Sequence, residues 1–356
     1  MSAMSQLRVA VIGCGNVSVV HLPPIVESEV AELIAVCDIK PERAKAAGEK
    51  YGVPWYTSYR EVLELKPDAI HICTPHNTHA EITIAAANQG IHVLTEKPMA
   101  VSLEDADRMI AAAEENRIKL GVIFQNRYNA SSQATYEVVQ SGKLGKILGC
   151  RMFVTWNRSD EYYSHSDWKG TWDQEGGGVL IDQAIHTIDL MQWVMGDIDY
   201  LEGSIDNRNH DLIDVEDVAE ATIFFKNGAI GSLFACNYYT YDAHVFLEIH
   251  GENGIIRVEK DDALIKIKGE ADRLVSSDDL PATLGKSYWG VNHKTQIDQF
   301  YHAILTDTAV EIDGYAGRKA LEVVRAIYYS GSNDICRVKF PFQEPSGFTP
   351  PSLTKR

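Results

Sequence analysis

Leu7-Arg8-Val9-Ala10-Val11-Ile12-Gly13-Cys14-Gly15-Asn16-Val17-Ser18 is the stretch that decides how the first third of this chain folds. Its apolar run stops at a glycine, the pattern of a short strand buried on both faces. The glycines that follow form a G-x-G-x-x-G arrangement with Ser18 in the third place. In such a loop the first glycine permits a tight turn and the second lets the backbone approach a pyrophosphate. Ser18 is small enough to occupy the third position, at some cost in helix–strand closeness. Just beyond, Pro23 and Pro24 remove two backbone donors, which predicts a break in the following helix and a restart near Pro23.

Working outward, residues 32–37 form a second apolar strand that ends in Asp38 and Ile39. An acid roughly 20 residues beyond the glycine loop lies where the ribose hydroxyls of NAD would be, and it repels the extra phosphate of NADP. Lys40 softens that preference, so NAD is expected and NADP less so. Asp38 also reads as an ordinary strand-end turn residue. Helical patterns at residues 41–51, 59–65, 81–89 and 102–116 then alternate with strands at 69–73, 91–94 and 119–124. This alternation predicts a doubly wound parallel sheet, a Rossmann arrangement. Cofactor contacts are expected from the loop (Gly13, Gly15, Asn16, Val17), from Asp38 and Ile39, and from the strand ends (Thr74, Pro75, Asn77, His79, Glu96, Lys97, Gln125). Thr74 and Asn77 also suit helix capping. Lys97 precedes a proline, so its backbone is held extended at a strand end. Such a lysine is either a solvated loop charge or a site group.

After Gln125 the pattern changes. A helix at 131–141 and a strand at 146–156 lead into a loop, 157–175, rich in Trp, Tyr, His and Arg. Aromatic faces stack on sugar rings and on nicotinamide, so Trp168 is expected at the cofactor. Arg127, Tyr128, Trp156, Tyr163, His165 and Gln183 are candidates for substrate contact. A packed lid without ligand contact is the other reading of the loop. Next come Gly176, Gly177 and Gly178, which bring the backbone close to a ligand and release it into a helix running to about Met195. Asp182 and His186 stand four apart, on one helix face. The pair reads as a proton-handling site, or as a helix whose His satisfies a carbonyl and whose Asp faces water. Period-two segments follow at 216–225, 229–239, 245–249 and 255–259, with Asn227-Gly228 predicting a type I′ hairpin. Helices at 294–305 and 318–330 close the chain.

The expected organisation is an α/β chain of two domains: residues 1–125, the parallel domain, and residues 126–340, an α/β domain with a large, open, mostly antiparallel sheet. Residues 341–356 read as a loosely held tail. Phe224, Ile230, Leu233 and Phe246 leave too few polar side chains for two solvated sheet faces, which predicts a homodimer or homotetramer through the second domain.

The chain has 356 residues, 45% hydrophobic and 23% charged, as in soluble globular proteins. Its 33 Lys and Arg against 50 Asp and Glu give a formal charge of −17, which disfavours nucleic acid or an anionic membrane as partner. Six scattered cysteines without metal spacing read as reduced thiols, and no metal is expected. No apolar run of about 18 residues and no leader pattern occurs, so a cytoplasmic protein is expected.

Taken in order, G-C-G-N-V-S, Asp38, T-P-H-N-T-H, E-K-P and G-G-G-V-L-I-D-Q-A-I-H resemble the glucose–fructose oxidoreductase, inositol dehydrogenase and MocA (Gfo/Idh/MocA) family over residues 7–330. The resemblance implies a Rossmann domain carrying NAD(P) and a second domain whose open sheet mediates assembly. It also implies that Lys97, Asp182 and His186 serve the chemistry. The stretch Y-Y-S-H-S-D-W-K-G-T-W is similar to members acting on pyranoses and nucleotide-linked sugar acids, with Lys169 where Arg is more usual. The implied reaction moves a hydride between a secondary hydroxyl of a sugar, sugar derivative or inositol and nicotinamide. His186 would exchange the proton, Lys97 would steady the alkoxide or share the proton, and Asp182 would orient a hydroxyl. A redox-neutral NAD-dependent glycoside hydrolase and a non-catalytic NAD-binding sensor remain the alternatives.

Overall fold

The structure, a computed structural model, describes residues 6–276 and 292–355. Among these residues the strands form two sheets, and the chain divides into two compact units. The first unit runs to Ala100 and takes in Asp105–Gln125 and the helix His293–Leu305. The second takes Val101–Glu104, the chain from Asn126, and the chain from Lys319.

In the first unit β1 (Leu7–Ile12), β2 (Ala31–Cys37), β3 (Trp55–Tyr56), β4 (Ala69–Ile72), β5 (His92–Thr95) and β6 (Leu120–Val122) pair only in parallel. Their order is β3-β2-β1-β4-β5-β6, the doubly wound order with its switch point between β1 and β4. Val9, Val11, Val36, Ala69 and Leu94 are fully buried, as strands covered on both faces require. The helix break expected near the two prolines is present: a 3-10 turn, Asn16–Val20, gives way to Leu22–Val26, which carries both prolines in its first turn. Pro41 starts Pro41–Tyr51, and Gly52 ends it with φ of 70°.

One boundary differs from the expected one. The helix His293–Leu305 belongs to the first unit, not to a second domain starting at 126. Its Ile297, Phe300 and Tyr301 lie in the same core as Leu7, Val9 and Leu94. Gln296 fixes it, accepting from Phe124 N at 3.0 Å and donating to Val122 O at 2.7 Å.

The second unit is built on a nine-stranded sheet. Its strands are β7 (Ile147–Thr155), β8 (Ile198–Asp206), β9 (Val218–Phe225), β10 (Ile230–Cys236), β11 (Phe246–Gly251), β12 (Gly254–Glu259), β13 (Asp262–Ile267), β14 (Arg273–Ser276) and β15 (Val338–Lys339). They lie in the order β14-β13-β12-β11-β7-β10-β9-β8-β15, antiparallel throughout except for the parallel pair β7–β10. The β9–β10 turn is not type I′, because Asn227 does not adopt positive φ. Instead Phe225 O accepts from Gly228 N at 2.9 Å, and Gly228 alone is left-handed at φ 86°. This is a type I turn followed by a glycine bulge.

Leu233 is 1% exposed, whereas Ile230, three residues earlier and so on the other face, is 50% exposed. One further expectation is corrected. The tail beyond residue 340 is held in place, not loose. Buried Arg325 needs acceptors and takes them from Glu344 Oε1 at 2.5 Å and Phe348 O at 2.9 Å, while Leu353 N donates to Asp214 O. No helix among the described residues is long and apolar enough to cross a membrane.

Candidate active site

The glycine triplet is explained by what presses on it. A Cβ on Gly177 would stand 2.0 Å from Tyr328 Oη, and one on Gly178 2.0 Å from Glu216 O. On Gly176 it would meet Val101 at 2.7 Å. The backbone is therefore close to protein side chains and backbone at all three positions. Nor does the triplet release directly into an α-helix. Val179–Ala184 is a π-helical turn, and the α-helix Ile185–Met195 begins only after it. Asp182 thus sits in a π turn and His186 in the first turn of the helix that follows. Such π turns occur often at functional sites.

Asp182 Oδ2 gathers three donors: Lys169 Nζ at 2.5 Å, Tyr162 Oη at 2.8 Å and Gln183 Nε2 at 2.8 Å. Lys169 also reaches Glu175 Oε1 at 3.2 Å, and Glu175 Oε2 accepts from Gly170 N at 2.5 Å. Burial alone would lower the Lys169 ammonium, but Asp182 and Glu175 together hold it well above its ordinary value. Burial raises Glu175 to about 8 against the pull of Lys169, and the Asp182 charge adds to the rise. The Lys169 ammonium lies 4.9 Å from the Tyr162 ring and 4.5 Å from that of Trp168, placing Trp168 at the edge of the cluster. Gln183 Oε1 accepts from Asn237 Nδ2 at 3.1 Å, and Asn237 also donates to Tyr163 Oη at 2.8 Å, so Tyr163 joins the same network.

Other substrate candidates are committed to the framework. Arg127 is 6% exposed and makes a two-bond pair with Asp189, at 2.8 and 2.5 Å, beside the Trp193 ring. It is a buried structural ion pair, not the open contact expected. Trp156 is buried, donates to Ala243 O at 3.1 Å and carries the Arg158 guanidinium over its ring. His165 is exposed at the end of the short helix Asp160–Ser164, and Tyr128 is half-buried. Lys169, Tyr162, Glu175, Glu216 and Tyr328 are absent from the residues picked out as substrate contacts. For Lys169 and Glu175 the available signal is their proximity in sequence to the aromatic loop and the glycines.

In the first unit Gly13, at φ 99°, lies under β4: a Cβ there would be 2.4 Å from Cys73 O. Around Gly15 the nearest atom to such a Cβ is Arg43 Nη1 at 3.8 Å, so its backbone is open to approach, as a pyrophosphate demands. Ser18 turns its hydroxyl onto Gly15 O at 2.7 Å. Asn16 is exposed and Val17 half-buried. Asp38 accepts from Cys14 N at 2.9 Å and Lys40 N at 2.8 Å, tying the loop to the end of β2, and Ile39 beside it is 80% exposed. Thr74 and Pro75 are half-buried and Asn77 exposed after β4. The residues present fit a dinucleotide.

His79 and Glu96 do not keep the roles expected of their side chains. His79 is fully buried, with its ring nitrogens on Pro98 O and Thr74 O at 2.8 and 2.9 Å. Glu96 faces an interior cluster, its Oε1 2.9 Å from His21 Nε2 and 3.6 Å from His293 Nε2. Burial raises its pKa, but the two histidines outweigh that and hold the carboxyl well below the usual range. Behind His21, His71 meets it at 2.9 Å and Tyr301 Oη meets His71 at 2.9 Å. Gln125 is buried. Lys97, half-buried after β5, stands next to Glu96, whose Oε2 accepts from Lys97 N at 3.3 Å.

Residues 7–124 match the model of the oxidoreductase family with an NAD-binding Rossmann fold, and residues 132–257 that of the GFO/IDH/MocA C-terminal domain. D-glucoside 3-dehydrogenase of Escherichia coli is 36% identical over 197 residues, 54% of this chain and 55% of that protein. Here the chain spans about half the length of its relative. Myo-inositol 2-dehydrogenase of Thermotoga maritima is 28% identical over 264 residues, 70% of this chain and 74% of that protein. The WlbA dehydrogenase of Bordetella pertussis, solved with NADH and UDP-GlcNAcA, superposes with a TM-score of 0.84 at 29% identity, covering 95% of this chain and all of the other. With both halves matched and the fold shared, the chain belongs to the Gfo/Idh/MocA family of oxidoreductases.

Proposed function

We propose that this protein is an NAD-dependent oxidoreductase that transfers a hydride between a secondary hydroxyl of a sugar, sugar derivative or cyclic polyol and nicotinamide. The observation that carries this reading is the cluster around Asp182. A carboxylate held by Lys169, Tyr162 and Gln183, beside aromatic rings, is chemistry suited to a hydroxyl-bearing ring. The relatives named as sugar and inositol dehydrogenases support the same class.

The cofactor would be held by the Gly13–Gly15 loop, by Asp38 toward the ribose, by Ile39, and by Thr74, Pro75 and Asn77; when bound it supplies the hydride acceptor. His186 takes the hydroxyl proton, the task imidazole most often serves in general acid–base catalysis. Lys97 donates to the substrate oxygen and steadies the charge that develops there. Asp182 accepts from a neighbouring hydroxyl and orients the ring. Trp168 is assigned to the cofactor by its aromatic face, and Gln183 and Tyr163, joined through Asn237, to the substrate.

The test is a panel of sugars, glycosides, inositols and sugar nucleotides assayed for NAD reduction. NADH accumulating with one or more of them is the expected result. Glycoside cleavage without net NADH would replace the dehydrogenase with a redox-neutral hydrolase. Firm NAD binding with no turnover of any compound would leave a sensor.

A further inference from the structure

Glu216 has no part in the chemistry proposed above, yet it is fully buried beneath the residues that do. Its carboxylate accepts from Gly178 N at 2.8 Å, Leu180 N at 2.9 Å and Tyr328 Oη at 2.8 Å. Its main-chain carbonyl accepts from Val179 N at 3.2 Å. Three successive amides, 178 to 180, therefore end on one residue. They open the π turn Val179–Ala184, where a helix has no internal partners for its first donors. Tyr328, itself fully buried and edge-on to Trp172 at 5.1 Å, closes the far side. The glycines at 177 and 178 complete the fit, because any Cβ there would collide with Tyr328 or Glu216.

Two residues beyond Leu180 stands Asp182, and one turn further His186. Resting on the role given to Asp182 above, we propose that Glu216, backed by Tyr328, is a positioning residue for the reaction. It fixes the π turn by its amides and thereby sets the direction in which the Asp182 carboxylate faces. The turn needs such a device, since π geometry is rare and seldom persists without support. Only an ionised carboxylate offers acceptors on both oxygens and no donor. An amide at this place would turn an N–H₂ toward one of the two backbone N–H groups. Burial raises the Glu216 carboxyl to about 7, against the pull of Leu180, Tyr328 and Gly178, so the ionised form prevails only above about that pH and the kinetics are compared there.

The test compares Glu216→Gln and Tyr328→Phe with wild type in steady-state kinetics, NAD titration and hydrogen exchange. For Glu216→Gln the expected result is a fall in kcat of roughly ten- to a hundredfold, the scale of a small misplacement of a reacting group. NAD affinity should stay unchanged, and exchange should accelerate at amides 178–184 while the sheet strands keep their protection. Tyr328→Phe should move kcat the same way by less; it decides the matter alone if Glu216→Gln does not fold. Unchanged kcat in the folded variants overturns the proposal, as does a loss of kcat accompanied by faster exchange across the whole second sheet. A wild-type protein with no oxidoreductase activity on any sugar or polyol would instead overturn the function on which the proposal rests.

Discussion

Lys169 Nζ sits 2.5 Å from Asp182 Oδ2 and 3.2 Å from Glu175 Oε1, so one largely enclosed ammonium serves two acidic side chains. Lys169→Met would leave both acids without their cation. Removing one member of a buried ion cluster costs about 3–5 kcal/mol, because the remaining charge stays desolvated. Denaturant unfolding should show a loss on that scale, with Lys169→Arg retaining most of the stability. Equal stability of Lys169→Met and wild type would mean the cluster is solvated in solution.

The same cluster makes stability depend on pH with a definite sign. Glu175, ordinarily near 4.5, is raised to about 8, so the folded protein keeps a proton that the unfolded chain has already lost. Stability from this group is fully present below about 4.5, falls as pH rises toward 8, and then levels off. Glu216, raised to about 7, adds a slope of the same sign up to that pH. Glu175→Gln should remove this downward contribution between pH 5 and 8, where His71, His79, His92 and His293, all lowered by burial, contribute with the opposite sign. A pH profile of Tm left unchanged by Glu175→Gln would contradict the assignment.

Asp38 is the residue proposed to set cofactor choice. Wild type is expected to bind NAD well ahead of NADP in direct titration, and Asp38→Ser to narrow the gap by removing the repulsion of the extra phosphate. Because Asp38 also accepts from the amides of Cys14 and Lys40, the variant should lose NAD affinity as well. A wild-type preference for NADP would reverse the reading of this strand end.

His186→Ala should lower turnover by roughly a hundredfold or more, the usual range for acid–base catalysis. Lys97→Ala should do at least as much, since it removes a charge and a hydrogen bond from the developing alkoxide. The double variant should lose less than the product of the single losses, as groups acting in one unit do. NAD affinity is the control and should change little. Near wild-type turnover in His186→Ala would make this histidine structural.

The second sheet predicts assembly. Tyr200 and Phe224 stack at 4.3 Å, Ile230 is half exposed, and Phe246 lies under the guanidinium groups of Arg151 and Arg257. A homodimer or homotetramer through this surface is the expected state, and Ile230→Lys should shift it toward monomer in sedimentation. A stable wild-type monomer at micromolar concentration would count against it.

The parallel sheet was legible because strands buried on both faces read as apolar runs, and the helix break because Pro23 and Pro24 admit few alternatives. Asp182 and His186 stood out by spacing, although the turn carrying Asp182 is π and not α. The partners of Lys169 were not legible, since they depend on how the aromatic loop folds back on residue 182. Glu216 looks like any acid ahead of a strand; its role comes from the amides it meets 36 and 38 residues earlier in the chain. The helix His293–Leu305 was misassigned because periodicity reveals that a face is buried but does not name the surface that buries it.

That helix bears on how the protein can be dissected. A truncation ending at Gln125 looks like a self-sufficient nucleotide-binding piece, with all six parallel strands present. It would lack Ile297, Phe300 and Tyr301, all nearly inaccessible in the intact protein, and would leave the Phe124 amide without Gln296. At about 1.5–3 kcal/mol for each large apolar side chain withdrawn from a core, the deficit rivals the whole stability of a small domain. The smallest piece expected to fold by itself is therefore discontinuous, and a recombinant fragment would have to graft residues 293–305 back on by a linker.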